Sequence, residues 1–267
     1  MSSSTIQVTD SNDLSGQTTS RLVLQMARRD IATLFRTPWI IISRSLAFII
    51  QLFVFAYLIS GLVVKFPGFF PYYAVGSVVS VVASISFIIG YDIFEEAEEG
   101  LLDYLLTLPI PRREFIIGRA LGGAVRAMIY TIPMFAIVAL LENFSNPLSL
   151  LAAVLNLFLL AFGVTGLSIT VAVSVRSANR FDVVLALLEL AVSRASTALY
   201  PLAFMPSYVA ALAPFSPVTF AADSTRAALS GSSLDILGLA GLLAFVAIFL
   251  GLGATFYFRR LEGGVYA

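Results

Sequence analysis

The stretch "EEAEEGLLDYLLTLPIPRREFIIGR" runs from Glu95 to Arg119 and lies between long apolar runs. Four carboxylates, Glu95, Glu96, Glu98 and Glu99, fall within five residues. Beyond them Leu101, Tyr104, Leu105 and Leu108 continue an apolar stripe at helical spacing that begins at Phe94 and Ala97. Glu95, Glu99 and Asp103 are four apart and line a second face. The pattern predicts a short amphipathic cytosolic helix over about 95–108, weakened near Gly100 and stopped by Pro109 and Pro111. Arg112, Arg113 and Glu114 then lead into the next apolar run. Two readings of the acidic face are open. It is a docking surface for another protein, or it is a solvated charge run that keeps a loop in water.

The surroundings decide the fold class. The chain has 267 residues, 59% hydrophobic and 12% charged, against about 45–50% and about 25% in soluble domains. Mean hydropathy is +0.94. A membrane-crossing helix needs about 20 mostly apolar residues. Six windows satisfy this, at about 40–64, 72–93, 120–141, 148–175, 183–202 and 234–258. The expected fold is therefore an all-α polytopic membrane protein with six transmembrane helices. The fifth window is unusual in holding Glu189 and Arg194.

Basic residues set the orientation, because they are retained on the cytoplasmic side. With the N-terminus inside, Arg21, Arg28, Arg29, Arg36, Arg112, Arg113, Arg119, Arg176, Arg180, Arg259 and Arg260 are all inner, and only Lys65 and Arg226 are outer. Both termini are expected in the cytoplasm of a plasma-membrane protein. Residues 1–20 are rich in Ser, Thr, Asp and Asn, contain no basic residue, and read as a disordered cytosolic tail rather than a signal peptide. In "RLVLQMARRDIATLFRTP", Leu22, Met26, Ile31, Leu34 and Phe35 share a face, as in an N-terminal interfacial helix lying along the inner membrane surface. The alternative is a cytosolic extension of the first span.

Several function classes drop out. Cysteine and histidine are absent, which removes thiol chemistry, His-based zinc sites and Ser-His-Asp triads. Net charge is zero, so nothing points to a nucleic-acid partner. The only lysine is Lys65, followed by Phe66, so the chain has no phosphate-binding loop of the Gly-x-x-x-x-Gly-Lys-Ser/Thr type. No cofactor or metal site is expected in this chain.

The opening stretch resembles the cytosolic segment after the second span of ABC-2 type transporter permeases. Glu99, Gly100, Leu102, Asp103, Leu105, Leu106, Pro109, Ile110, Arg112, Ile116, Gly118 and Arg119 carry the likeness, and Leu101 stands where the family usually has Thr. The family mixes basic residues among the acids, whereas here all are acidic. A second stretch, "MPSYVAALAPFSPVTFAADSTRAALSG", is similar to the family's segment between spans five and six through Pro206, Ser216, Pro217, Thr219, Asp223 and Arg226. The resemblance covers nearly the whole chain past residue 20, which is then one ABC-2 type transmembrane domain over 21–267.

What the resemblance implies is concrete. Residues 95–108 form a coupling helix between spans 2 and 3, pushed by a cytosolic ABC ATPase subunit that carries ATP and Mg. Two permease chains pair in the membrane, as a homodimer or heterodimer. The segment from Pro206 to Arg226 re-enters the membrane from outside and caps the path. The activity is export of a lipid-like, drug-like or other amphiphilic substrate. A secondary transporter, a membrane enzyme and a non-transporting scaffold of the same fold are the competing readings; internal repeats and clustered intramembrane carboxylates, the marks of the first two, are not seen.

Four charges fall inside the predicted spans: Arg44, Arg126, Glu189 and Arg194. Such residues usually face protein or water, at a cost of about 2.5–3.5 kcal/mol each at the bilayer centre. Arg44, Arg126 and Glu189 are each expected roughly 9 Å from the inner end of their span. Glu189 pairs with Arg126 or Arg44 in a structural role, or the two arginines snorkel to the inner headgroups. Arg194 lines the path or is satisfied by Asn156 or Gln51.

Overall fold

The computed structural model describes residues 24, 28, 31–32, 38–62, 68–100, 112–141, 146–175, 177–231 and 235–263. Residues 1–20 and the helix stretch at 101–108, with Leu101, Asp103, Tyr104 and Leu105, lie outside them, as does Pro109. So do the side chains of Arg44, Arg112 and Arg113. Of the N-terminal segment, Leu24, Arg28, Ile31 and Ala32 are helical, and Leu24 and Arg28 are exposed.

Every regular element among the described residues is helical. In chain order they are α1 (Pro38–Ile50), a π-helical stretch (Gln51–Ala56) running on into α2 (Tyr57–Leu62), α3 (Phe69–Glu98), α4 (Arg112–Leu141), α5 (Pro147–Ser174) and α6 (Ala178–Arg194). Short turns then lead through α7 (Ser207–Ala210) to α8 (Pro217–Leu229) and α9 (Ile236–Gly263). Among the described residues five helical stretches are long and apolar enough to cross a membrane: Ile41–Ser60, Phe69–Glu98, Glu114–Leu141, Pro147–Ser174 and Ile236–Phe256. The sixth expected stretch behaves differently. Its helix starts earlier than residue 183, at Ala178, and stops at Arg194 instead of continuing to residue 202.

Helix α5 is the centre, in contact with α3, α4, α8 and α9. Small side chains let it sit there, because close helix approach in a membrane depends on them. Ala153, Ala161, Thr165, Ser168 and Ala172 are all fully or nearly fully buried on α5. Ser168 donates across to the Phe87 carbonyl of α3 at 2.7 Å, and Thr170 to the Phe249 carbonyl of α9 at 3.2 Å. Asn146 caps α5 by accepting from Leu148 N–H, with Pro147 at the first helical position, a favoured start.

Helices α1, α6 and α9 lie at the edge. Ile42, Leu46, Ile50 and Phe53 are exposed on the first span, Val183, Leu187 and Leu190 on α6, and Leu237, Leu243 and Ile248 on α9. Apolar residues on those faces need lipid or another chain around them.

Helix α3 has 30 residues, about 45 Å, against about 30 Å of hydrocarbon. It therefore extends beyond the bilayer core, and the cluster Glu95, Glu96 and Glu98 sits on its projecting last turn, with Glu99 as its C-cap. The acids, expected in a separate helix over 95–108, belong instead to the end of the membrane helix itself, while the rest of that stretch, 101–108, lies outside the described residues. Gly100 ends it with φ 73°, a left-handed conformation natural to glycine, and its N–H bonds the Ala97 carbonyl at 3.3 Å.

Candidate functional site

Three polar groupings lie along α3, at its projecting C-terminal end, its N-terminal end and its middle.

At the projecting end, two arginines on α4 meet two carboxylates on α3. Arg119 Nη2 is 3.1 Å from Glu96 Oε2, and Arg126 Nη1 is 2.7 Å from Asp92 Oδ2. Asp92 and Glu96 are one helical turn apart and Arg119 and Arg126 two, so the pairs form a ladder between antiparallel helices. Arg119 is only 2% exposed. Arg126 therefore neither snorkels alone nor pairs with Glu189; its carboxylate is Asp92. Glu96 is likewise committed within the chain, while Glu95, Glu98 and Glu99 are exposed. Sequence reasoning missed the role of Asp92 and Arg119, although the spacing of four on one helix and seven on the other places each pair on one face. Phe181, in the first turn of α6, stacks on Phe94 of α3 at 4.3 Å and meets Tyr91 edge-on at 5.2 Å. Helix α3 is thus tied to both α4 and α6 beside its acidic tip.

At the N-terminal end of α3, the chain after Arg194 leaves the helix, and the buried residues Thr197, Ala198 and Leu199 expose backbone groups that must be satisfied. Non-helical backbone at membrane depth is tolerated only where protein or water meets those needs. Here Tyr72 of α3 donates to the Thr197 carbonyl, Thr197 N–H donates to Thr219 Oγ1 at 3.1 Å, and Arg226 donates to the carbonyls of Ala198 and Tyr72. The Thr197 hydroxyl donates to Asp223 Oδ1 at 3.0 Å, and Arg226 pairs with the same oxygen at 3.0 Å. The Arg226 guanidinium also lies 3.5 Å over the Tyr72 ring. Burial pushes the Asp223 carboxyl above its usual range, against the pull of Arg226 and Thr197. Ser216 caps α8 by accepting from Val218 N–H and donates to the Val192 carbonyl near the end of α6 at 2.6 Å. Pro217 takes the first helical position. Pro206 is exposed, at the N-cap of α7. So Thr219, Asp223 and Arg226 come together on α8, which Pro217 starts, and their common work is to hold the broken end of α6. Gly76 completes the arrangement: a Cβ there would stand 1.6 Å from the Ala198 oxygen.

At mid-depth, a cavity of about 300 Å³ opens between the first span, α3 and α6. Gln51, Ser80, Ser84, Glu189, Ser193 and Arg194 line it. Glu189 lies three turns into α6, about 16 Å from its start, deeper than the sequence window implied because the helix begins at Ala178. Among the described residues neither Glu189 nor Arg194 has an ion-pair partner within 4.0 Å, so Glu189 does not pair with Arg126; the Arg44 side chain, its other expected partner, lies outside the described residues. The Oγ atoms of Ser80 and Ser193 are buried and make no hydrogen bond. Gln51 donates to the Tyr73 hydroxyl at 3.2 Å. Among the described residues, no group of three or more Asp and Glu could hold a metal ion.

An all-helical chain with five bilayer-length apolar helices and a polar cavity among them belongs to the class of polytopic membrane proteins. The particular family follows from comparison with known proteins: the model of the ABC-2 type transporter family matches residues 21–230, and the chain belongs to that family. Its members are transmembrane permeases of ABC transporters, normally non-catalytic, and typically work with an ATPase subunit. No curated protein matches the chain.

Proposed function

We propose that this chain is the permease subunit of an ATP-driven exporter of an amphiphilic substrate in the plasma membrane. ATP and Mg are bound by a separate cytosolic ATPase, and two permease chains pair. Residues 178–201 make the sixth crossing, counting α6 and the stretch after it, so that both termini are cytoplasmic. The N-terminal segment lies along the inner surface, and Pro206 to Arg226 forms the re-entrant cap.

One observation carries this reading. Glu95, Glu98 and Glu99 are exposed at the C-terminal end of α3, where carboxylates oppose the helix dipole and one another, at about 0.3–1 kcal/mol each. A helix gains nothing from this arrangement, and a basic partner surface does. The Asp92–Arg126 and Glu96–Arg119 pairs and the Phe181 stack give that surface mechanical reach. A push on the acidic tip moves α3 together with α4 and α6. ATP drives the cycle to the extent that its binding favours one of the two arrangements over the other.

The test is co-purification with P-loop ATPases encoded in the same genome. The wild-type chain should retain one in detergent, and Glu95→Ala/Glu98→Ala/Glu99→Ala should weaken retention. Glu96 is left intact because it holds Arg119. A folded wild-type chain that retains no ATPase, or a triple variant that retains it as well, sinks the proposal.

A further inference from the structure

We propose that the mid-membrane cavity is the headgroup site for an amphiphile bearing a zwitterionic headgroup, an ammonium beside an oxyanion. The proposal rests on the permease reading and names the substrate class of that path.

The cavity is polar in a place where polarity is costly. Glu189 and Arg194 both line it, five residues apart, or about 7.5 Å of helix rise. Glu189 is half-buried there and Arg194 is exposed on the last turn of α6, and charged residues among membrane helices mark pathways rather than packing. Two further donors wait beside them. Ser193 is 7% exposed and its hydroxyl has no partner, nor has the buried hydroxyl of Ser80. Unmade hydrogen bonds of buried groups are rare in folded proteins. They are accounted for if a ligand supplies the missing partners. The wall on the first span begins at Gln51, where the helix widens into its π-helical stretch, a local form enriched at functional sites.

Charge chooses the ligand. A purely anionic headgroup leaves Glu189 opposed, and a purely cationic one leaves Arg194 opposed. A zwitterion answers both: its ammonium meets the Glu189 carboxylate, and its oxyanion meets the planar guanidinium of Arg194, which suits a bidentate contact. The serine hydroxyls complete the oxyanion's shell. The rim is apolar, with Leu190 exposed beside the cavity and Ile50 and Phe53 exposed on the first span, so a hydrocarbon tail has a place to lie.

A second copy of the chain does not answer the two charges as well. A two-fold axis along the membrane normal brings equal depths together. Glu189 then faces Glu189 and Arg194 faces Arg194, which adds repulsion instead of removing it.

The experiment uses the full chain in nanodiscs of phosphatidylglycerol, which contain no zwitterionic lipid. Binding of radiolabelled lysophosphatidylethanolamine is displaced by dodecyl phosphate, by dodecylammonium, or by soluble phosphoethanolamine. The zwitterionic lysolipid should bind about tenfold or more tightly than either singly charged amphiphile, the scale of one charge-assisted hydrogen bond. Glu189→Gln should weaken the lysolipid and dodecylammonium about tenfold without weakening dodecyl phosphate; Arg194→Gln should weaken the lysolipid and dodecyl phosphate about tenfold without weakening dodecylammonium. Glu189→Asp and Arg194→Lys should restore most of the affinity, which separates ligand contact from misfolding. Equal affinity for all three amphiphiles overturns the proposal, as does a uniform loss in all four variants. Soluble phosphoethanolamine binding as tightly as the lysolipid overturns the amphiphile assignment. No ATPase is present, so failure here leaves the docking reading standing, and failure of co-purification leaves this result standing.

Discussion

Arg226 and Arg194 lie on either side of the same short run of broken backbone, and their surroundings differ completely. Arg226 reaches the carbonyls of Ala198 and Tyr72, the carboxylate of Asp223 and the face of the Tyr72 ring. Arg194, an exposed residue, lines a cavity with Glu189 and touches no carboxylate within ion-pair distance among the described residues. The first arginine answers needs that the fold itself creates. The second carries a need that the fold leaves open. A charge in a membrane helix is thus a clue of two kinds, and only the partner inventory tells them apart. Arg119 and Arg126 fall on the first side, Glu189 on the second.

Substitutions can break that division. The largest effect is expected at Arg119, which is buried against Glu96. Arg119→Ala leaves a carboxylate without its cation, and removing one partner of a buried pair costs about 3–5 kcal/mol. The melting temperature in detergent should fall steeply; a shift within error would show that the α3–α4 ladder holds nothing. Next comes Gly76→Ala. Its new methyl would stand 1.6 Å from the Ala198 oxygen, so the run after Arg194 must move away from α3. Overpacking of this kind costs about 1–3 kcal/mol. Wild-type stability in this variant would mean that the contact is not close in the membrane. The smallest stability effect belongs to Glu189→Gln. With no ion-pair partner to orphan among the described residues, its melting temperature should stay within the range of a neutral substitution, about 0.5 kcal/mol, while substrate transport falls. A melting shift as large as that of Arg119→Ala would move Glu189 to the structural side and erase the contrast.

The legible and the hidden parts of this structure divide along the same line. The apolar runs at 72–93, 120–141, 148–175 and 234–258 became helices because about 20 apolar residues in a row have one low-energy answer in a bilayer. Their ends were misjudged where charge intervened. The second run ends in charge at Asp92 and Glu95, yet α3 continues to Glu98 and α4 begins at Arg112, because Asp92 and Glu96 find Arg126 and Arg119 across the helix pair. Hydropathy averages over a window and cannot see a partner on another helix. The end of α6 was hidden for the same reason. Its partners Tyr72, Thr219 and Arg226 are distant in sequence, so local pattern could not foretell that the helix stops at Arg194. The residues of the candidate sites were nevertheless readable by type: Glu189 and Arg194 stand out as charges in an apolar run, and Asp223 and Arg226 as a spaced pair after Pro217. What the sequence left out was which of them already had company.

The break after Arg194 also bears on how the protein is made. Helix α6 is 17 residues long and includes Arg180, Asp182, Glu189 and Arg194, a poor candidate for the translocon to release into lipid unaided. The groups that hold its C-terminal end, Ser216, Thr219, Asp223 and Arg226, leave the ribosome later than it does. Fixing this helix in the bundle is therefore a cooperative step that depends on downstream synthesis, and the order of translation is part of the assembly of the bundle.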